Sequence, residues 1–174
     1  MNIGLVGKTG CGKSTLAKHI AAEFGHEIID SDVLRTYINL RLEGWQIMQR
    51  HMEQGLQVPL DLFAKALSRK IIPLQDKELI LDTMLSAEIL FEYEKYTNRI
   101  DIAFHLDASD EVAAQRVLAR NREPKILEHI ENRKSRFLKE FPKLKQHLGS
   151  RLINIDAHQT PEEISAQVLE ILGD

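Results

Sequence analysis

A chain of 174 residues with 43% apolar and 28% charged side chains has the make-up of one globular domain, able to bury about 70% of its unfolded surface. Its lone cysteine excludes an internal disulfide, its seven histidines carry no metal-ligand spacing, and a net charge of −3 argues against nucleic acid as a partner. No apolar run reaches the ~18 residues of a membrane span, and no basic leader precedes the first strand, so the expected setting is the cytoplasm and the expected state a monomer.

Apolar Asn2–Val6 reads as the first strand. It runs into Gly7-Lys8-Thr9-Gly10-Cys11-Gly12-Lys13-Ser14, a complete G-x-x-x-x-G-K-[ST] loop, and an amphipathic helix follows from Ser14 to Phe24. Glycines let successive N–H groups turn inward, and the positive end of the helix faces the same anion. The loop therefore predicts a nucleoside triphosphate site in which Gly10, Cys11, Gly12, Lys13, Ser14 and Thr15 hold ATP. Lys13 would reach the β- and γ-phosphates, and the Ser14 hydroxyl would ligate Mg²⁺. Cys11 lies near a helix N-terminus, which favours a thiolate, but it reads first as a small loop residue.

Glu27–Asp30 forms the second strand. Asp30 and Asp32 bracket Ser31 at its end, and Arg35 follows one turn after Asp32. Two readings stay open. Asp32 caps the next helix and pairs with Arg35 at i,i+3, or Arg35 clamps an acceptor phosphate while a carboxylate orients the accepting oxygen. The stretch from Asp32 to Ile72 is longer than one crossover helix requires, so it reads as a helical, acceptor-binding insertion. Glu78–Asp82 forms the third strand, with Asp82 at its end, where it orders Mg²⁺, caps the following helix, or does both.

Ile102–Leu106 is the fourth strand, and Asp107 and Ser109 can cap the helix that runs to about Arg120. Arg116 and Arg120 share a face at i,i+4. Arg133 and Arg136 repeat the idea at i,i+3 on the next helix, which Pro124 starts and Pro142 bends or ends after Glu140. From Arg116 to Lys145, ten basic residues stand against four acidic ones. Such a run is usually a solvated face; a second anionic ligand is the sharper reading. Phosphoryl transfer asks for positioning and charge neutralisation more than covalent work, and the planar fork of arginine serves both. Losing one such donor costs about 3 kcal/mol of transition-state stabilisation, against about 0–1 kcal/mol for a surface ion pair. Arg120 and Arg133 are the leading catalytic candidates beside Lys13. Leu152–Asp156 is the last strand, and Thr160-Pro161-Glu162-Glu163 opens the last helix, with Ile164, Val168 and Ile171 on one face. Strands alternating with helices specify an α/β fold, a three-layer phosphate-loop architecture on a five-stranded parallel sheet.

Taken together these segments resemble the adenylate kinase group of nucleoside monophosphate kinases, over nearly the whole chain. Gly7–Thr15 is similar to that family's G-x-x-G-x-G-K-[GS]-T. Asp30-Ser31-Asp32-Val33-Leu34-Arg35 resembles its T-G-D-x-L-R, in which the arginine meets the acceptor phosphate. Met52 to Pro59 resembles its M-x-x-G-x-x-V-x stretch, which places Gly55 and Val58 at the monophosphate base site. Asp110 to Arg120 resembles its D-E-x-x-x-x-R-x-x-x-R; by this resemblance Arg116 covers the ATP base and Arg120 contacts phosphates. Ile130-Glu131-Asn132-Arg133 resembles the lid-helix segment whose arginine bridges the two nucleotides. The resemblance implies a core of residues 1–31, 73–120 and 141–174, an acceptor-binding insertion at 32–72 and a short lid at 121–140 that closes over the phosphates. It also implies Mg²⁺-assisted transfer from ATP to a small phosphorylated acceptor, with AMP foremost.

The chain departs from the family at two places. The arginine of its D-G-[FY]-P-R is Ser86 here, and Asp30 stands where threonine or serine is usual. Ile29-Asp30-Ser31-Asp32 also resembles the I-D-A-D of dephospho-coenzyme A kinases, which gives a second reading: a kinase of another small-molecule hydroxyl with Asp30 or Asp32 as base. A non-catalytic ATP-binding regulatory module is the third.

Overall fold

In the computed structural model, which describes residues 1–84, 86–119 and 124–173, five strands form one parallel sheet. They are β1 (Ile3–Val6), β2 (Glu27–Ile29), β3 (Leu79–Met84), β4 (Ile102–Asp107) and β5 (Leu152–Asp156), in the order β2-β3-β1-β4-β5. The helices are α1 (Lys13–Phe24), α2 (Asp32–Asn39), α3 (Trp45–Glu53), α4 (Leu60–Ile71), α5 (Ala87–Glu94), α6 (Asp110–Ala119), α7 (Pro124–Leu148) and α8 (Pro161–Gly173). The chain leaves β1 toward one edge, returns through β3, and then crosses to the other side of β1 for β4. The crevice of an open parallel sheet lies at such a reversal, beyond the carboxyl end of the strand, which here is Gly7.

Side chains alternate across the sheet because the strand period is two. Ile3, Leu5, Ile80, Phe104 and Leu106 pack with Leu16, Ile20, Ile164 and Val168 of α1 and α8. Val6, Leu79, Leu81 and Ala103 pack on the opposite face with Leu67, Leu90, Phe137 and Leu144 of α4, α5 and α7. β1 is buried along its whole length, so it reads as a continuous apolar run rather than an alternating one. The capping box at the last helix forms as its sequence requires. Thr160 Oγ1 accepts from Glu163 N–H at 3.3 Å, and Glu163 Oε2 takes the Thr160 N–H at 2.9 Å.

Besides one-residue shifts at the starts of β1, β3 and α1 and the end of β4, three boundaries differ from expectation for a reason the structure shows. β2 stops at Ile29, because Asp30 Oδ1 accepts the Asp32 N–H at 2.9 Å and turns the chain into α2 instead of continuing the ladder. β3 does not end at Asp82 but runs to Met84. Gly4 pairs with Leu81 and Val6 with Met84, so β3 carries one extra residue across this interval, and Asp82 sits inside the strand at an irregularity. Helix α7 does not end at Glu140. It continues unbroken through Pro142 to Leu148. Pro142 forfeits only the bond to the Leu138 carbonyl, on a solvent-facing turn, while Phe137, Leu144 and Leu148 hold the opposite face in the core. No break therefore falls between 140 and 141, and the buried Phe137 already belongs to the core.

Candidate active site

The phosphate loop owes its shape to backbone that only glycine tolerates. Gly10 adopts φ +90°, and a Cβ on it would stand 2.3 Å from the Ala113 carbonyl oxygen. The loop is thus wedged against α6 with no room for a side chain. Gly12, at φ +113°, turns the chain into α1, whose first-turn N–H groups lack intrahelical acceptors. Lys13 folds back over the loop, its Nζ donating to the Gly7 carbonyl at 2.8 Å and the Lys8 carbonyl at 2.9 Å. Its cation is held inside the cradle. Cys11 is fully buried against Leu106, so it is a small packing residue rather than an accessible thiol.

Ser14 is exposed on the first turn of α1, while Asp82 is buried in β3, on the strand next to β1. A hydroxyl and a carboxylate are hard oxygen donors, and Mg²⁺ typically takes one or two such groups together with phosphate and water. Among the described residues no cluster of three or more His, Cys, Asp or Glu exists that could cage a metal by protein alone. The pair at Ser14 and Asp82 suits an ion delivered with a nucleotide.

Arg116 reaches from α6 to two backbone carbonyls, Cys11 at 3.1 Å and Gln159 at 2.9 Å. It ties the phosphate loop to the β5–α8 connection. Beside it opens an apolar cleft of about 210 Å³, walled by Thr15, Leu16, Arg116, Ala119, Pro161 and Ile164, with Gly12 at its edge. A flat aromatic base fits such a slot, with its phosphates toward the loop. The connection is itself pinned. His158 Nε2 accepts the Ser109 N–H at 3.1 Å, and its Nδ1 lies 2.6 Å from Asp156, whose carboxyl is held below its ordinary range by the His158 N–H groups.

A second tie links the loop to α7. Lys8 donates to Asp110 at 2.7 Å, and Lys134 of α7 reaches the other oxygen of the same carboxylate at 2.5 Å. Lys134 first, and Lys8 second, hold the Asp110 carboxyl below its usual range, and Asp110 raises Lys134 in turn. The basic segment is therefore partly spent on organising α7 over α6.

Among the residues expected to face an acceptor, Asp32 and Arg35 form an ion pair at 2.6 Å with both side chains well exposed, and Asp32 is the first residue of α2 rather than its cap, its N–H held by the Asp30 carboxylate. Ser31 opens α2 without a side-chain cap. Gly55, at φ +65°, closes α3, and Val58 is buried in the core cluster before α4. Ser86 is almost completely buried, and its Oγ accepts the Ile89 N–H at 3.3 Å as N-cap of α5, which explains a small hydroxyl residue at that position. Arg133 lies exposed on α7. Arg120 and Arg122 lie outside the described residues.

One residue escaped the sequence reading. His105 faces α7 from β4, level with Val6 just before the loop. Its ring packs on Phe141 at 4.3 Å and Phe137 at 6.0 Å, and its Nδ1 bonds the Asn154 side chain at 2.6 Å. Burial pushes its pKa down, against the opposing pull of Asn154. The available signal was a histidine on the inward face of an otherwise apolar strand.

Comparison with known proteins agrees with this geometry. The family described as AAA domain matches residues 6–131. Adenylate kinases of Corynebacterium glutamicum and Corynebacterium aurimucosum are 28% and 29% identical, over 99% of this chain and 99% of theirs. The structure of deoxyadenosine kinase from M. mycoides with bound dCTP superposes with a TM-score of 0.65 over 99% of both chains, at 18% identity. The chain belongs to the AAA domain family, and it is a phosphate-loop phosphotransferase of the adenylate and nucleoside kinase kind.

Proposed function

We propose that the protein transfers the γ-phosphoryl group of ATP to a nucleoside monophosphate, AMP foremost, with Mg²⁺ bound through the nucleotide. The observation that carries this reading is the cradle itself: an ammonium held over inward-turned backbone beside an apolar, arginine-walled slot. Lys13 exchanges the Gly7 and Lys8 carbonyls for β- and γ-phosphate oxygens, trading neutral acceptors for charged ones. The base lies along Leu16 and Ile164 under Arg116. Ser14 and Asp82 would hold Mg²⁺, which would supply charge neutralisation for the transferring group. Arg133, from α7, and Arg120, which follows α6 in the chain, converge on the phosphoryl as the part of the 121–140 segment that precedes the buried Phe137 closes and excludes water. The helices from Asp32 to Ile71 bind the acceptor. Arg35 leaves its exposed partner Asp32 for the acceptor phosphate, an exchange that costs little because exposed pairs are worth about 0–1 kcal/mol.

A panel of nucleoside monophosphates and nucleosides assayed with MgATP tests the reading. Turnover of AMP above other acceptors is expected, and transfer to nucleosides alone would refute it. That outcome belongs to the second reading, a hydroxyl acceptor activated by Asp30 or Asp32, which the missing arginine at Ser86 favours. The protein superposed above is named a deoxyadenosine kinase, which points the same way.

A further inference from the structure

Arg136 is a half-buried guanidinium on α7 that pairs with no carboxylate among the described residues. Nearby cations are placed differently. Lys134 has Asp110, Lys143 has Glu140 at 2.9 Å, and Lys139 and Lys145 stand in solvent. Glu140 lies one turn along from Arg136 at i,i+4 and is buried, with one carboxylate oxygen that accepts no hydrogen bond. Arg136 does not fold back onto it. Helical side chains lean toward the N-terminus of their helix, which for α7 is the end at the carboxyl edge of the sheet. Burial without a counter-charge depresses the basicity of this guanidinium. A half-desolvated cation is costly unless an anion completes it.

The height of Arg136 follows from helix geometry. His147 of α7 packs edge-on against Phe91 of α5, with centroids 4.8 Å apart, and its Nε2 lies 2.8 Å from Glu94. That contact sets the two helices level near their lower ends. Arg136 precedes His147 by three full turns on the same stripe, about 16 Å higher. Ser86 precedes Glu94 by about 12 Å along α5. Both helices run away from the carboxyl edge of the sheet, since α5 follows β3 and α7 leads into β5. Arg136 therefore stands about one turn above the N-cap of α5, at the rim beyond β3. Lys134, about 160° away around α7, turns instead to α6 and the phosphate loop.

We propose that Arg136 binds the anionic group of the phosphoryl acceptor, supplying from α7 the guanidinium that position 86 lacks. This rests on the monophosphate reading. The acceptor phosphate enters between Arg35 and Arg136, and Ser86 keeps its buried capping role because the charge arrives from the neighbouring helix. Arg136 is a specificity residue, and an acceptor without a phosphate gains nothing from it.

Steady-state kinetics of wild type, Arg136→Met, Arg136→Gln and Arg136→Lys with MgATP test the assignment. Met keeps the apolar stem and removes the charge, and Gln serves if Met does not fold. Either variant should raise the KM for AMP about 10- to 100-fold, as expected for a lost charge-assisted bond, with ATP KM within about twofold. Lys should recover part of the loss, and any basal transfer to adenosine should be unchanged. An AMP KM within about twofold of wild type, or equal rises for AMP and ATP, overturns the role of Arg136 alone. Wild type that turns over no monophosphate overturns the acceptor reading itself.

Discussion

Gly10→Ala isolates how tightly the phosphate loop is wedged against α6. Two costs separate on geometry. The backbone at φ +90° strains any L side chain by about 1–2 kcal/mol. The added methyl would also stand 2.3 Å from the Ala113 carbonyl oxygen and 2.9 Å from Val117 Cγ2. Neither neighbour is a flexible chain end, so loop or helix must shift by about 1 Å, which at ordinary overpacking costs adds about 1–3 kcal/mol. Gly25→Ala supplies the control. It closes the same helix at φ +76°, with nothing within 4 Å of its Cβ, and so bears strain without a clash. At about 2–4 °C per kcal/mol for a chain of this size, the control should melt about 2–8 °C below wild type and Gly10→Ala about 4–20 °C below. The loop shift should also weaken MgATP binding in Gly10→Ala, by calorimetry, and leave it intact in the control. Equal melting points with undiminished ATP affinity would show that the loop yields freely, and the wedge would be wrong.

Lys13→Ala should fold, because its ammonium holds two loop carbonyls and the Cys11 sulfur but no counter-charge, yet lose about 10²–10³ in kcat as a preorganised phosphate donor; full turnover would refute its placement. Phe137→Ala should cost about 3–5 kcal/mol in urea unfolding, through the lost stack on Phe141 and His105. The depressed pKa of His105 means that the unfolded chain takes up the proton first. Stability it contributes is complete above the ordinary value near 6.5 and declines as pH falls below it toward the folded value. Urea midpoints at pH 7.5 and 5.5 should therefore differ more in wild type than in His105→Gln. Asp110 is likewise depressed, so its tie between Lys8 and Lys134 is complete above its ordinary 3.8 and fails as pH falls through the lower folded value. Asp110→Asn should loosen hydrogen exchange at residues 130–136 of α7 at neutral pH, where wild type stays protected.

The fold was legible where one local rule decides the backbone. The glycine spacing and Lys13-Ser14 could be read because a phosphate cradle admits few alternatives, and the cap at Thr160 because its two bonds are reciprocal and local. Asp82 was misplaced by two residues for a non-local reason: the extra residue in β3 is set by pairing with β1, and nothing within 78–84 announces it. Pro142 misled in the opposite sense, since a forfeited hydrogen bond on an exposed turn is outweighed by three buried apolar residues on the far face. The pairing of Asp32 with Arg35 was visible as an i,i+3 spacing, whereas the bond from Asp30 that starts α2 depends on its backbone conformation. His105 was harder still. A histidine in a strand gains meaning only when Phe137 and Asn154 surround it.

Two ties converge on α6, and their arrangement couples the phosphate loop to α7. Arg116 grips the loop carbonyl of Cys11 from the last turn of α6, and Asp110 grips Lys8 from its first. Gly10 meets Ala113 between them. The loop thus contacts α6 along more than a full turn and cannot shift without moving it. Asp110 carries the same constraint to Lys134 on α7, the helix that also bears Arg133 and Arg136. A nucleotide that draws Lys8 toward its phosphates takes one of the two cations from Asp110 and leaves Lys134 as the remaining partner. The bond from α6 to α7 then has no competitor, so filling the loop should tighten the position of α7 rather than release it. Hydrogen exchange at residues 130–136 should fall on adding MgATP to wild type, and Lys8→Met should show that protection before any nucleotide is added. Faster exchange in the Lys8 variant would mean that Lys8 helps to hold Asp110 in place instead of competing for it.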